Sequence, residues 1–415
     1  MKYDFCRKFF ALPSRGFIFT ATWLLVFICG LSAGANTAQA QTRAYVVNLC
    51  SQTVSVIDTA TNTVVATIPV GVNPDLVAIS PDGTRAYVTN LGSNTVSVIN
   101  TATNTVIATV PVGLNPGLLA ITPDGSRVYV PNLDNAISVI NTTTNTAIAT
   151  IPLGFRPFDI AISPDSTRVY VPDFINGTTV AIISTATNTI IANIPVGRDP
   201  FNVAFTPDGT RAYVMSSSDG TISVINTATN TVVATIPVEI GSEGLVFSPD
   251  GTRAYVADVV HSVVAVINTA TNTVIANIPV APNSVDVAIT PNGARIYVKG
   301  NQVFSVIDTA TNTMIATIPV DYILFDVAFT PDSSRAYITT ANSSLVSVVN
   351  TATSTVVATV PVGECPFGVA VTPAPRVPQN KDECKNGGYR NFGPPAGPFR
   401  NQGQCVSYVE SHSHH

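Results

Sequence analysis

Nine polar side chains mark where this sequence could do chemistry: Arg156, Asp159, Arg198, Asp199, Glu243, Asn283, Asp286, Tyr322 and Asp326. They fall in the stretches GFRPFD (154–159), GRDPFN (197–202), EIGSEG (239–244), APNSVD (281–286) and DYILFD (321–326). Carboxylates brought together by a fold can share a proton, act as general acid and base, or hold a divalent cation. Arginine and asparagine add donors, and Phe155, Phe158, Phe201 and Phe325 add apolar surface beside them. Such a mixture suits a protein partner, a glycan or a small polar ligand. It becomes a site only if the separate stretches converge.

Other chemistry is thin. His261, in DVVHSVVAV, is the only histidine before the C-terminal tail and sits at a turn, where a lone histidine is ordinarily solvated. His412, His414 and His415 end the chain and offer weak transition-metal binding at most. There is no CxxC pair, HExxH, P-loop or GxSxG, so no metal site and no catalytic residue is assigned. Recurrent aspartates in PDG triplets leave calcium as the one cofactor to consider, although turn geometry accounts for their place.

The elements that would position these residues repeat. Tyr45, Tyr87, Tyr129, Tyr170, Tyr213, Tyr255, Tyr297 and Tyr337 are spaced by 42, 42, 41, 43, 42, 42 and 40 residues. Each unit holds four short runs rich in Val, Ile, Thr and Tyr, as in AYVTN (86–90), TVSVIN (95–100), TVIATVPVG (105–113) and LLAITP (118–123). These residues favour strands, and none of the runs has helical spacing. PDG and TATN supply tight turns. Four strands in about 42 residues are the size of a propeller blade. The fold expected is all-β: an eight-bladed β-propeller of four-stranded antiparallel blades.

Strand order follows from the connections. The longest link, GVNPD (71–75) and its equivalents, is the crossover between blades. The run after it lines the channel, and the ATIPV-type run is outermost. That run carries a proline in every unit, from Pro69 to Pro361, which cannot pair with a further strand. The chain enters at a second strand, RAYVVN (43–48), and leaves at a first strand, FGVAVTP (367–373). The C-terminal strand should therefore complete the N-terminal blade and close the ring. Cys50 stands at the end of that blade's tyrosine strand and Cys365 just before its inner strand. Antiparallel pairing brings the two together, so a Cys50–Cys365 disulfide is expected, with a separate Cys384–Cys405 bridge in the tail.

With these motifs in place, the chain resembles the YVTN-type β-propeller repeat family. The signature stands as Tyr87-Val88-Thr89-Asn90, with variants at 45–48 and 129–132, inside SPDGTRAYVTN and NTVSVIDTATNTVVATIPVG patterns. The resemblance covers about 332 of 415 residues. It implies kinship with surface-layer and secreted binding proteins and with lactonase-like propellers. Many members have seven blades, whereas this chain has eight repeats. The tail, KDECKNGGYRNFGPPAGPFRNQGQCVSYV, resembles a short C-terminal cysteine motif of secreted bacterial proteins.

The expected organisation is a signal peptide (1–40), the propeller (41–373), a proline-rich linker (374–380) and a small cysteine-containing tail (381–415). The signal reading rests on Lys2, Arg7, Lys8 and Arg15, the 15-residue apolar run 17–31, and Ala38-Gln39-Ala40. That places the chain in the periplasm, at the cell surface or outside a bacterial-type cell, with no membrane span after cleavage. The formal charge of −5 includes that segment, and scattered acidity argues against nucleic acid as a partner. A monomer is expected. Two functions follow. One is a non-catalytic binding module working through the crossover-loop mouth. The other is a lactonase-like or lyase-like enzyme with an acidic, metal-assisted site among Asp159, Asp199, Glu243 and Asp326.

Overall fold

A computed structural model describes residues 42–238, 244–300, 302–320, 324–340 and 343–374. The 32 strands form eight antiparallel sheets of four. Blade 1 is assembled from both ends of the chain: β1 (Arg43–Asn48), β2 (Thr53–Asp58) and β3 (Thr63–Pro69) join β32 (Pro366–Val371) in the order β3-β2-β1-β32. Blades 2 to 8 are meanders over 74–111, 120–152, 161–195, 200–237, 245–279, 286–319 and 324–361. The expected closure is present, with Tyr45 paired to Ala370 and Val46 to Val369.

Both faces of each blade are covered by neighbours, so the inner strands are buried on alternate and intervening residues alike. The pattern in β1 is one partly buried residue followed by five buried ones. The fourth strand alternates instead, and its terminal proline is exposed on the outer edge. Apolar packing forms eight clusters, each spanning two adjacent blades. The cluster joining Tyr337 and Val348 to Val46 and Val369 unites blades 8 and 1. All eight repeat tyrosines are fully buried, each contributing roughly 2–3 kcal/mol of apolar burial.

The turns explain the signature residues. In SPDGT, the Asp82 carboxylate accepts the backbone N–H and the hydroxyl of Thr84 at 3.0 and 2.8 Å and the Ser80 hydroxyl. Gly83 then takes a φ of 71°. These carboxylates are thus engaged within their own turns. Among the described residues no group of three or more His, Cys, Asp or Glu side chains is arranged to hold a metal ion. The Asn90 amide of YVTN is buried and donates to Ser97 Oγ at 3.0 Å, fixing the next strand. The TATN asparagine adopts φ near 54° and reaches the preceding blade: Tyr45 and Arg43 bond the Asn104 amide at 2.9 and 3.3 Å. Tyr337 reaches Asn62 in the same way at 2.9 Å, across the closing joint.

Cys50 and Cys365 form a disulfide, with Cα atoms 5.4 Å apart. Cys365 has φ 55°, the left-handed conformation that Asn73 adopts at the corresponding place in blade 2. Among the described residues no helix is long and apolar enough to cross a membrane.

Candidate functional site

Antiparallel order gives the ring two unlike faces. PDG and TATN turns crowd one of them. Crossovers and the turns after the tyrosine strands crowd the other, and there the repeat is broken. Arg156 and Asn283 are exposed in crossovers on this face, Asn283 with φ 56°. Glu243 and Tyr322 lie outside the described residues, as do Cys384, Cys405 and the segment 1–41.

Several of the expected residues are tied into the backbone. Asp159 accepts N–H groups from Ile160 at 2.8 Å and from Val203, in the next blade, at 2.9 Å. Asp326 repeats this clasp with Val327 at 2.8 Å and Val369 at 2.9 Å. Both aspartates thereby join neighbouring inner strands, and Asp326 holds the ring-closing one. Asp199, with φ 52°, accepts the Asn176 N–H at 2.8 Å and the Ser218 hydroxyl. Arg198 is exposed and pairs with Asp219 at 2.7 Å. His261 Nδ1 lies 3.0 Å from Asp258 Oδ2, in the turn after a tyrosine strand.

Convergence occurs between blades 7 and 8. Asp286 and Asp326 line one cleft of about 210 Å³ together with Lys299, Phe325 and the ring-bearing wall of Tyr297 and Phe304. Lys299 donates to the Phe325 carbonyl oxygen at 2.8 Å. Burial pushes the Asp326 carboxyl up to about 6, against the backbone N–H bonds and the charge of Lys299, and the charge of Asp286 adds to the rise. A carboxyl in this range carries a proton at mildly acidic pH and a charge at neutral pH. A larger void of about 280 Å³, between blades 1 and 2, is lined by aliphatic and hydroxyl groups such as Val70, Ser93 and Thr109 and holds no charged side chain.

Aromatic side chains gather on the same face. Phe158, Phe174 and Phe201 pack with centroids 4.7 to 5.4 Å apart, and Phe325 meets Phe367 at 3.9 Å. The structure thus brings Asp286, Asp326 and Phe325 together and leaves Arg156, Arg198 and Asp159 elsewhere on the rim. Lys299 was missed by the reading of crossover loops, because it lies at the end of a tyrosine strand. A signal was present: it is the only lysine between residues 9 and 380.

The fold and its one irregular face define an eight-bladed β-propeller. Among solved structures the chain is similar to a Kuenenia stuttgartiensis hydrazine synthase chain, at 23% identity and a TM-score of 0.57, over 67% of this chain and 96% of that one. It is similar to the dihydro-heme d1 dehydrogenase NirN, at 17% identity and a TM-score of 0.69, over 81% of this chain and 76% of that one. A functionally unknown protein from Desulfotomaculum acetoxidans DSM 771 aligns at 18% identity and a TM-score of 0.58, over 80% of this chain and 99% of that one. At such identities the likeness speaks to fold alone. No family model and no curated protein matches the chain.

Proposed function

We propose that this chain is an exported, non-catalytic binding propeller of the YVTN-repeat type, which takes a protein, glycan or small polar ligand on its crossover face. The observation that carries this reading is the cleft of Asp286, Lys299, Phe325 and Asp326, set in a face that departs from an otherwise uniform repeat. Loops free of the repeat constraint are where a scaffold specialises. The Cys50–Cys365 bridge supports an oxidising compartment. The test is binding of the mature protein to glycan and peptide arrays, with Asp286→Asn/Lys299→Met compared with wild type. Binding that disappears in the double variant, while its melting temperature holds, supports the reading. Binding that persists unchanged, or no binding by wild type, removes it.

A second reading is a lactonase-like or lyase-like enzyme. It is favoured by one observation, the Asp326 carboxyl raised to about 6 beside Asp286. Lactone turnover that is lost in Asp286→Asn would replace the first reading with this one.

A further inference from the structure

We infer that the cleft between blades 7 and 8 is a subsite for a single neutral pyranose ring, with Lys299 and Asp286 on its hydroxyls and Phe325 beneath its apolar face. This rests on the crossover face being a binding surface and names what that surface takes.

The first support is the lysine itself. Two residues beyond the repeat tyrosine, the other seven blades carry Val47, Thr89, Pro131, Pro172, Met215, Ala257 and Thr339. All seven are buried and uncharged. An ammonium group brought to such a position loses hydration, which is costly unless polar groups replace the water. Lys299 has its bond to the Phe325 carbonyl, and its charge acts on Asp326. Seven blades pack with an uncharged residue at this place, so the repeat itself does not call for a lysine.

The second support is the balance of the lining. The cleft offers a cationic donor, carboxylate acceptors and a phenylalanine in one small space. A strongly acidic ligand would meet Asp286 and Asp326, and a strongly basic one would meet Lys299. An uncharged ring bearing several hydroxyls can donate to the Asp286 carboxylate and accept from the ammonium, while its C–H face rests on the aromatic ring. The size agrees. A volume of about 210 Å³ is below the roughly 300–1,000 Å³ of pockets for drug-sized molecules, and it has room for one ring.

The test uses the scarcity of lysine. The mature full-length protein is treated with a limiting amine-acetylating reagent, and each lysine is followed by peptide mass spectrometry. The probes are D-glucose, D-galactose, D-mannose and N-acetyl-D-glucosamine. At ten times its dissociation constant, at least one should slow acetylation of Lys299 about tenfold. Lys381 and Lys385 serve as internal controls and should label at their free rates. By calorimetry, Lys299→Met and Asp286→Asn should each weaken that sugar at least tenfold, whereas Ile275→Thr on the outer strand of blade 6 should not. A sugar that binds while Lys299 labels at its free rate overturns the inference. So does the absence of shielding by every sugar when the arrays show another ligand on the crossover face, in which case the binding reading stands and the sugar assignment falls. If the variants do not fold, the labelling result decides.

Discussion

Tyr297 and Ser354 are both buried, and neither hydroxyl has a hydrogen-bond partner. Ser354 occupies the turn position, φ 55°, from which an asparagine reaches the preceding blade's tyrosine or arginine at the other seven joints. With no asparagine to meet, Arg295 turns back to Asp308 of its own blade at 2.6 Å. The joint between blades 7 and 8 therefore lacks the latch, and it is the joint that contains the Lys299 cleft.

Restoring the latch should strengthen the ring. Ser354→Asn gives Tyr297 an amide partner and places asparagine, which tolerates positive φ, where serine now sits. A gain of about 1–2 kcal/mol is expected, the scale of one or two net hydrogen bonds. Equilibrium urea unfolding measures it. An unchanged or lower midpoint would show that the joint is satisfied in another way.

The disulfide should act as a clasp on the split blade. Replacing Cys50 by glycine and Cys365 by asparagine restores the residues that blade 2 uses, Gly92 and Asn73. The loop closed spans 315 residues, so its loss should lower stability by up to about 5 kcal/mol on the chain-entropy account. Non-reducing peptide mapping should recover Cys50 linked to Cys365, and reducing agent should lower the melting temperature of wild type but not of the double variant. A reductant effect of equal size in both would contradict this.

Much of this architecture was legible because a repeat of known period carries its own strand order. Entry at a second-strand run (43–48), exit at a first-strand run (367–373) and the prolines at the outer edge sufficed to place blade 1 and to join two distant cysteines. The site was legible only in part. Divergence singled out Asp286 and Asp326 and, with them, Asp159, but the backbone clasps made by Asp159 and Asp326 depend on which N–H of the next blade they face, and no single repeat encodes that. Lys299 and Ser354 are one-letter departures inside otherwise regular strands and turns. Their consequence appears only when two blades are packed together.

Stability should depend on pH through Asp326. Its native carboxyl titrates near 6, above the ordinary 3.8, so the folded state holds the proton more tightly than the unfolded chain. The resulting stabilisation is complete below about pH 4 and is lost as pH rises through about 6. Asp208 and Asp250, held low by Thr206 and Ser248 hydroxyls, act in the opposite sense, their contribution present above pH 3.8 and lost below it. Asp326→Asn should flatten the fall in melting temperature between pH 4 and 6. A wild-type slope retained in the variant would assign the effect to other groups.

The inner ring has little spare room at blade 1. A Cβ added at Gly368 would lie 2.9 Å from the Asp75 carbonyl oxygen and 3.0 Å from Leu76 Cα, both backbone atoms of blade 2. Gly368→Ala should therefore cost about 1–3 kcal/mol through overpacking. Thermal unfolding checks this, and a melting temperature equal to wild type would mean that the strand can shift freely.

Hydrogen–deuterium exchange of the protein, free and saturated with an array-identified ligand, tests where the ring does its work. Slowed exchange is expected at 286–288, 298–300 and 325–327, with no change in the PDG turns. Protection confined to the PDG turns or to the outer proline-ended strands would contradict a binding site on the crossover face.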